Sequence, residues 1–481
     1  MVRANKKNIL AFFYFKNVII YSVVTILLNV SCKKLVEIDP PVTVLSSDVV
    51  FSNNASAAAV LTGVYDNMIY GSSKFSSGYY SLSLLAGLSA DEFKKYSTDP
   101  TQEQFFVNAV SSNRVRFWVE LYNYIYTANA VLEAMVASPN ISAEVKQQLI
   151  GEAKFVRAFC YFYLFNLFGD VPLITTTDYK VNALASRASA DQVYSQVIAD
   201  LKSAKELLNS QYVAADVITT TSDRVRPNKW AATALLARVF LYSKDWANAE
   251  NEATAVINNT SMYNLDTNLN NVFVKNSIEA IWQLQPVQVG YNTYDAYYFV
   301  LTSTPNNAKP VALSTFLVNA FDSADNRKKD WVGTITFGTQ TYYYSNKYKI
   351  SALNQPVSEY LMVLRLAEQH LIRAEARAQQ NKTSSSQDDL NIIRARAGLP
   401  NTSANDKTSL LTAILHERQV ELFSEWGHRW LDLKRTGTVD AVMSIVCPQK
   451  GGTWSPNWAL YPIPLGEIQN DPNLIQNPGY Q

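Results

Sequence analysis

The segment EAKFVRAFCYFYLFNLFGDVPL, residues 152–173, decides the fold of this chain. Apolar side chains recur in it, and in the turns before it, at intervals of three and four, so they share one face of a helix. These side chains are Val145, Leu149, Ala153, Val156, Cys160, Tyr163 and Leu167. Others fill the remaining faces, namely Phe159, Phe162, Leu164, Phe165 and Phe168. Gly169 then ends the helix, and Pro172 prevents it from resuming. The pattern predicts a central core helix that other elements surround.

The composition is that of a globular protein without an electrostatic preference for nucleic acid. The chain has 481 residues, of which 48% are hydrophobic, and 42 basic residues balance 41 acidic ones. Nucleic-acid binding requires a clustered basic excess, which this balance does not provide. The length indicates roughly two to four structural units or one repeat array. The 28 tyrosines exceed the 21 phenylalanines, which indicates ring faces that are partly in contact with water, as on ligand-binding surfaces.

The N-terminus predicts export and a lipid anchor. Lys6 and Lys7 precede a mostly apolar run over 18–30, which has the length of a secretory signal segment and is short for a membrane span. The run leads into LNVSC, which resembles a bacterial lipobox ending at Cys32, although asparagine stands where an aliphatic residue is usual. We predict a lipoprotein signal peptide over 1–31 and a lipid anchor on Cys32, with two acyl chains sufficient for stable attachment. A plain signal peptide with an incidental cysteine is the alternative.

Two other cysteines occur in the chain. Cys160 lies on the apolar face of the central helix, which predicts an inert buried thiol. A disulfide between Cys160 and Cys447 would be compatible with an oxidising compartment and stays open at this point.

Helical pairs occur on both sides of the chain's middle. The first pair, residues 226–257, resembles a tetratricopeptide unit, because alanines stand at facing positions of two helices joined by a short turn at Lys244 and Asp245. The second set comprises a helix over 361–378, a Ser-rich turn over 383–386, and helices over 389–397 and 408–426. Stacked pairs of this kind predict an α-solenoid-like body.

Two regions lack helical periodicity. Residues 71–112 are rich in Ser, Gly and Tyr, and we expect long loops there. Residues 259–356 contain β-like runs at 280–284 and 341–350 and are too long for a structureless loop, so they predict an irregular mixed α/β subdomain. The predicted parts are an N-terminal part over 32–258, the irregular subdomain over 259–356, and helical pairs with a wrapping tail over 357–481, together one unit over 32–481.

Three carboxylates could suggest chemistry. Glu417, Glu421 and Glu425 are four residues apart and share one helix face. The neighbouring arginines are Arg418, Arg429 and Arg435. Carboxylates with guanidinium partners stay ionised and hydrogen-bonded, and a glycosidase needs its two carboxylates on opposite sides of a cleft. The pattern therefore predicts structural ion pairs.

Other catalytic and metal-binding motifs are incomplete. His416-Glu417 begins like a zinc-protease motif, but the fifth residue is Val420 instead of histidine. Three histidines leave little material for a transition-metal site, and the sequence contains no Walker loop or G-x-S-x-G elbow. We predict no catalytic residue, no cofactor and no metal site.

Aromatic loops are the strongest candidates for a binding site. A sugar has an apolar C–H face, which a flat ring covers, and a rim of hydroxyls, which amides and carboxylates bind. The irregular subdomain carries Tyr291, Tyr294, Tyr297, Tyr298, Trp331 and Tyr342 to Tyr344. The residues predicted to bind ligand are Tyr79, Tyr80, Tyr96, Tyr291, Asn292, Tyr294, Asp295, Trp331 and Tyr343.

Five separated stretches together resemble the SusD/RagB family of outer-membrane nutrient-binding lipoproteins. In chain order they are EAKFVRAFCYFYLFNLFGDVPL, RPNKWAATALLARVFLYSKDW, LRLAEQHLIRAEARA with LNIIRARAGLP, ERQVELFSEWGHRWLDLKRTG, and LYPIPLGEIQNDPNLIQNPGY. The resemblance implies a mostly α fold, in which tetratricopeptide-like helix pairs form a scaffold for an irregular mixed α/β ligand-binding subdomain. It also implies a lipid-anchored protein of the cell outer membrane that faces the exterior and has no catalytic activity.

The resemblance further implies a ligand and a partner. Such a protein would bind oligosaccharide, or peptide, and deliver it to a SusC-like TonB-dependent transporter. Lys33 and Lys34 directly follow Cys32, whereas acidic residues often stand there in exported family members. A tetratricopeptide-type scaffold that binds only proteins and a surface glycan hydrolase are the alternative functions.

Overall fold

The chain is mainly helical, as its apolar periodicity predicts. A computed structural model of the protein describes residues 50–71 and 74–480, and this part contains eighteen α-helices and eight short strands. The predicted signal peptide and Cys32 lie outside the described residues.

The elements before residue 258 are mostly helices. In chain order they are α1 (Asn54–Ile69), α2 (Leu82–Ser89), β1 (Phe93–Lys95), α3 (Pro100–Phe106), α4 (Trp118–Ala137), α5 (Ala143–Phe168), β2 (Val171–Pro172), α6 (Tyr179–Asn182), β3 (Arg187–Ala188), α7 (Ala190–Leu207), α8 (Lys229–Tyr242) and α9 (Trp246–Ile257).

Most strands lie in the middle of the chain, and helices resume after them. The elements are β4 (Ala280–Leu284), α10 (Tyr294–Phe299), β5 (Val311–Leu313), α11 (Thr315–Ala320), α12 (Asn326–Trp331), β6 (Val332–Phe337), β7 (Gln340–Ser345), β8 (Leu361–Arg365), α13 (Leu366–Gln379), α14 (Thr383–Arg396), α15 (Lys407–Glu421), α16 (His428–Arg435), α17 (Val439–Gln449) and α18 (Leu465–Asn470).

The predicted central helix is α5. Every side chain of its predicted apolar face is buried, and Gly169 ends it with a φ of +74°, a conformation that favours glycine. Phe165 is an exception among the additional apolar residues, because it is only half-buried, against Tyr194. Helix α5 packs on α4 and α7, and the stack continues through α8, α9 and α13 to α14 and α15. The predictions of a core helix and of a mostly α scaffold of helix pairs are confirmed.

Buried ion pairs join neighbouring helices of the stack. Arg157 on α5 donates two hydrogen bonds of 2.8 and 2.7 Å to Asp200 on α7. Arg238 on α8 donates two of 2.6 Å to Glu368 on α13. Because both pairs are bidentate, they fix the relative position of the helices as well as neutralising the charges.

Several predicted boundaries in the C-terminal helices are wrong. Residues 361–365 form strand β8, which pairs with β4, and the helix starts only at Leu366. A short apolar run fits a strand as well as a helix, so its periodicity did not distinguish them. The predicted Ser-rich turn at 383–386 is the first turn of α14, and the chain turns earlier, where Asn381 has a φ of 61°.

The helix predicted over 408–426 stops at Glu421. A helix that continued to residue 426 would join the Glu421 carbonyl to the N–H group of Glu425. Instead, the buried cations Lys347 and Arg365 donate to that carbonyl, at 2.7 and 2.8 Å. A loop follows, and α16 begins at His428.

The prediction of long loops over 71–112 is also wrong in part. Two helices and a strand, α2, α3 and β1, lie within this region, and α2 is buried along its whole length. Strand β1 pairs with β5, with Phe93 opposite Leu313. This pairing brings the first aromatic region next to the second, which is more than 200 residues later in the chain.

The middle region is irregular, as predicted. The run at 280–284 is strand β4, whereas the run predicted over 341–350 is shorter, because β7 ends at Ser345. Strands β6 and β7 form an antiparallel hairpin, and each of the four described sheets has two strands. The domain boundaries at 258 and 356 stay a prediction.

The C-terminal tail contacts the end of α5. The Asn477 side chain donates to the carbonyl of Phe168 at 2.8 Å, and the N–H group of Tyr461 donates to Leu167 at 2.9 Å. Cys160 and Cys447 are both buried free thiols. No helix of the described part combines the length and apolar character needed to cross a membrane.

Candidate functional site

Six tyrosines from two distant segments form one continuous group, called here the tyrosine cluster. Its members are Tyr79, Tyr80, Tyr291, Tyr294, Tyr297 and Tyr298. The contact between the segments is made by Tyr79 and Tyr298, whose ring centroids are 5.5 Å apart. Tyr80 lies 5.1 Å from Tyr79, and on the other side Tyr291 lies 4.6 Å from Tyr294.

Helix α10 sets the spacing of the second segment. The Thr293 side chain caps the helix by accepting from the N–H group of Ala296 at 3.0 Å. Tyr294 and Tyr298 are one turn apart on this helix, so their rings stack, with centroids 6.3 Å apart. Lys309 holds the helix from outside, because its ammonium group donates to the Tyr297 carbonyl and lies 4.5 Å from the Tyr297 ring centroid.

The cluster is partly open to solvent. Five of its rings are half-buried, and Tyr294 is buried beneath them. Tyr80 donates a 2.6 Å hydrogen bond from its hydroxyl to Asp99 Oδ2. Burial, together with this bond, raises the pKa of Tyr80 to about 12, so the hydroxyl is neutral near pH 7. Neutral, half-exposed rings of this kind can cover the apolar face of a sugar and hydrogen-bond its rim.

Tyr96 and Tyr343 lie in a second, adjacent group. With Tyr342 they line a cleft of about 490 Å³ beside the β6–β7 hairpin, and the Tyr96 and Tyr342 ring centroids are 5.6 Å apart. The two groups are neighbours, because Gln102 donates to the Tyr79 carbonyl at 3.0 Å and accepts from the Ser97 hydroxyl. The predicted tyrosines are therefore brought to one region in two subsites.

A larger cleft of about 740 Å³ begins at Tyr80 and extends between helices α1 and α4; it is called here the α1–α4 cleft. Its lining includes the polar side chains Asn67, Lys74, Arg116, Glu120, Asn123 and Thr127. Arg116 lies over the Tyr80 ring, with 4.4 Å between the guanidinium carbon and the ring centroid. The tyrosine cluster and the α1–α4 cleft thus share one wall.

Besides Tyr294, three predicted ligand-binding residues are buried, and these three serve the fold instead. Trp331 is 0% exposed, and its indole N–H donates to the Leu269 carbonyl at 2.9 Å. The Asn292 amide is used within the chain, since it accepts from the N–H group of Ser358 at 2.8 Å. Asp295 faces the interior of the protein from α10. These three assignments are corrected, because residue type alone does not distinguish a ring or amide in a loop from one under it.

The predicted set omitted three residues that the structure places in or next to the tyrosine cluster. Tyr297 and Tyr298 follow Tyr294 by three and four residues, a helical spacing that could have identified them as one group. Arg116 has no comparable signal, because its position over Tyr80 depends on tertiary packing.

Two family descriptions match the sequence. Residues 43–241 match the SusD-like family described as starch-binding associating with outer membrane, and residues 327–480 match the SusD family, also called SusD/RagB. The chain belongs to the SusD/RagB family. A SusD-like protein of Formosa agariphila is 25% identical over 97% of this chain and 99% of its own length. Another, from Bacteroides ovatus, is 27% identical over 68% of this chain and 66% of its own length.

Solved SusD structures share the fold. A SusD superfamily protein from Bacteroides vulgatus superposes with a TM-score of 0.77 at 21% identity, covering 89% of this chain and 99% of that one. A laminarin-binding SusD-like protein superposes with a TM-score of 0.75 at 24% identity, covering 89% of this chain and 100% of that one. The surface glycan-binding protein A from Bacteroides uniformis superposes with a TM-score of 0.73 at 19% identity, covering 88% of this chain and 98% of that one.

In this SusD-family protein, the three carboxylates of the C-terminal region belong to a buried ion cluster. Its members are Glu279, Asp325, Arg327, Lys347, Arg365, Arg396, Glu417, Glu421 and Glu425. Burial would raise the pKa of Glu421, but the guanidinium groups around it outweigh that effect and hold the pKa well below its usual range. A general acid needs the opposite shift, so Glu421 has a structural role, as predicted. Among the described residues, no group of His, Cys, Asp and Glu could hold a metal ion.

The arginines predicted to pair with these carboxylates pair elsewhere. Arg418 donates to Asp432 at 2.7 Å, and Arg429 donates to Asp91 at 2.8 and 2.7 Å. Arg435 binds Asp432 and Glu375. Proximity in sequence therefore predicted the kind of interaction but not the partners.

Asp295 gives a pH-dependent prediction. Burial, with a smaller contribution from the charge of Glu425, raises the pKa of Asp295 to about 8, and its Oδ1 atom has no hydrogen-bond partner in the described part of the chain. The folded protein keeps a proton that the unfolded chain loses near pH 4, so this group lowers the free energy of unfolding progressively from about pH 4 to pH 8. We expect Asp295→Asn to raise the melting temperature more at pH 9 than at pH 5.

The control for this prediction is Asp388→Asn, which changes an exposed carboxylate of α14. Thermal unfolding of both variants would be followed by circular dichroism at the two pH values. An equal rise in the melting temperature of Asp295→Asn at pH 5 and at pH 9 would contradict the prediction.

Proposed function

We propose that this protein is an outer-membrane lipoprotein, anchored through Cys32 and facing the cell exterior, that binds oligosaccharide and delivers it to a SusC-like TonB-dependent transporter. It acts by binding and does not cleave its ligand. Peptide is the second ligand class that the family resemblance allows.

The tyrosine cluster is the observation that carries the proposal. Its half-buried rings come from segments more than 200 residues apart, and the β1–β5 pairing holds them together. Such rings are rigid and have a polar edge, so they bind sugar faces with little loss of side-chain entropy. The adjacent Tyr96–Tyr343 subsite extends the aromatic surface, which suits a ligand of several sugar units.

The comparisons support this choice of ligand. One protein with the same fold binds laminarin, and others are surface glycan-binding proteins. The carboxylates that could have suggested a hydrolase are enclosed with guanidinium partners in the buried ion cluster. The apolar run before Cys32 and the family's association with the outer membrane support the anchor and the location.

Binding to a glycan array tests the proposed function. The full-length protein in detergent micelles should bind at least one oligosaccharide, and the affinity would then be measured by titration calorimetry. Tyr298→Ala should weaken that binding about tenfold or more, because it removes the ring that contacts Tyr79, Tyr294 and Tyr297. Tyr179→Ala is the matched control, since this tyrosine is 73% exposed on helix α6, and it should change the affinity less than twofold.

Each result bears on a different part of the proposal. Failure to bind any glycan or peptide would contradict it and favour a scaffold that binds proteins. Release of shortened products from a bound glycan would favour a hydrolase. Equal losses of affinity in Tyr298→Ala and Tyr179→Ala would place the site outside the tyrosine cluster.

A further inference from the structure

Within the described part of the chain, Arg116 is a cation without a counter-ion at the edge of the candidate site. It is exposed, and its guanidinium carbon lies 4.4 Å from the centroid of the Tyr80 ring. In residues 50–71 and 74–480, no hydrogen bond or ion pair joins its side chain to another residue. The ring covers one flat face of the guanidinium, whereas the N–H donors lie in the plane of the group and stay available to a ligand.

The ring beneath Arg116 is held firmly. Asp99 accepts from the Tyr80 hydroxyl at 2.6 Å through Oδ2 and from the N–H group of Gln102 at 2.8 Å through Oδ1. The second bond caps helix α3, so the carboxylate is fixed by the backbone. Asp99 is therefore committed to the ring and the helix, and Arg116 rests on a positioned platform.

The other charged side chains of the α1–α4 cleft are Lys74 and Glu120. Glu120 is tied into the fold, since Oε2 accepts from the N–H group of Phe75 at 2.9 Å and Oε1 accepts from the Tyr124 hydroxyl at 2.5 Å. Burial raises the pKa of Glu120 despite these bonds. Two cations against one engaged carboxylate leave an excess of positive charge in the cleft.

The same pairing of a tyrosine with a cation recurs along the aromatic surface. Lys94 lies 5.4 Å from the Tyr96 ring centroid, and Lys309 lies 4.5 Å from that of Tyr297. Neither lysine forms an ion pair with a carboxylate in the described part of the chain. By contrast, the next residue, Lys95, forms an ion pair of 2.6 Å with Glu103. In the described part of the chain, Lys94 and Lys309 are therefore unpaired, whereas Lys95 is paired.

From these observations we infer that the ligand is an acidic oligosaccharide, and that Arg116 binds a carboxylate or sulfate group of a sugar unit in the α1–α4 cleft. The inference rests on the proposed function and specifies its ligand class. The Tyr80 ring positions the guanidinium, whose free edge donates two parallel hydrogen bonds to the anionic group. The amides of Asn67 and Asn123 and the hydroxyl of Thr127 line the same cleft and bind sugar hydroxyls.

Paired glycans and paired variants test this inference. The array would contain oligogalacturonides with free and with methyl-esterified carboxylates, a sulfated galactan before and after desulfation, and neutral β-glucans. The tightest ligand should be anionic, and removal of its charge should weaken binding about tenfold or more. Preference for the free carboxylate over the ester identifies a uronate ligand, and preference for the sulfated galactan identifies a sulfate ester.

Arg116→Gln should weaken binding of the anionic ligand about tenfold or more and reduce the salt dependence of the affinity. Arg114→Gln is the matched control, because Arg114 is also exposed, two residues earlier, but does not line the cleft; it should change the affinity less than twofold. Arg116→Lys keeps the charge but not the planar fork, so it should give an intermediate affinity. Unchanged melting temperatures would show that the variants are folded.

The failures of the two proposals are distinguishable. If the tightest ligand is neutral and Arg116→Gln binds it as the wild type does, the acidic ligand class is wrong and the proposed function stands. If the two arginine variants lose affinity equally, general surface charge is responsible and the assignment to Arg116 is overturned. If neither a glycan nor a peptide binds, the proposed function itself fails.

Discussion

Replacing Glu421 by glutamine should lower the free energy of unfolding by about 3–5 kcal/mol, because it leaves buried cations without a compensating charge. Glu421 is fully buried and accepts hydrogen bonds from three guanidinium groups. Arg365 donates to Oε1 at 2.6 Å, Arg327 donates to Oε2 at 2.9 Å, and Arg396 also binds Oε1. Glutamine has nearly the same shape, so the loss reflects charge and hydrogen bonding and not a cavity. Urea unfolding followed by circular dichroism measures it.

The loss of unfolding free energy in Glu421→Gln should depend on pH in a defined direction. Since the folded pKa of Glu421 is held well below its usual range, its ionised form contributes stability above about pH 4.5, and this contribution is lost as the pH falls toward the folded pKa. The difference between wild type and Glu421→Gln should therefore narrow below about pH 4.

Glu206→Gln provides the control, because it removes the charge of an exposed glutamate on α7. It should lower the free energy of unfolding by less than about 0.5 kcal/mol. Should Glu421→Gln unfold within about 1 kcal/mol of the wild type, the buried ion cluster would not be the stabilising network that its geometry indicates.

The buried ion cluster also shows what the sequence could and could not predict. The four-residue spacing of Glu417, Glu421 and Glu425, with arginines nearby, was sufficient to predict structural ion pairing. The actual partners of Glu421 include Arg327 and Arg365, which are 94 and 56 residues away in the chain. Those distances depend on how α12, β8 and α15 pack, and no local pattern contains that information.

The candidate site, like the buried ion cluster, could be predicted from the sequence only in part. Aromatic composition identified the tyrosines near 80 and near 291–298 as candidates, and the family resemblance was the main reason to assign both regions to one site. The rings of the two regions do meet. Trp331 was wrongly included because a tryptophan in a polar region resembles a binding residue, although here its ring is enclosed near buried cations such as Lys347. Whether a ring faces solvent is decided by tertiary packing. The position of Arg116 over Tyr80 depends on that packing too, and the sequence did not indicate it.

Replacing Phe162 by alanine should lower the free energy of unfolding by about 3–5 kcal/mol. This variant also tests whether the helix scaffold and the ligand site are independent. The Phe162 ring is 1% exposed and lies 5.2 and 4.9 Å, between ring centroids, from Tyr163 and Tyr242. Arg238, which joins α8 to α13, has its guanidinium 6.0 Å from the same ring centroid. Alanine would leave a cavity at the centre of the helix stack, because the surrounding helices can relax only partially. Urea unfolding should show the lower free energy of unfolding.

The matched control is Phe165→Ala on the same helix, where the ring is only half-buried against Tyr194 and the cost should be smaller. Phe162 makes no ring contact with the tyrosine cluster, so the glycan affinity of the folded fraction should equal that of the wild type. That result would assign α5 to stability and the tyrosine cluster to binding. A stable, folded Phe162→Ala protein that no longer bound glycan would contradict both assignments, because it would place the site against the core helix instead of at the tyrosine cluster.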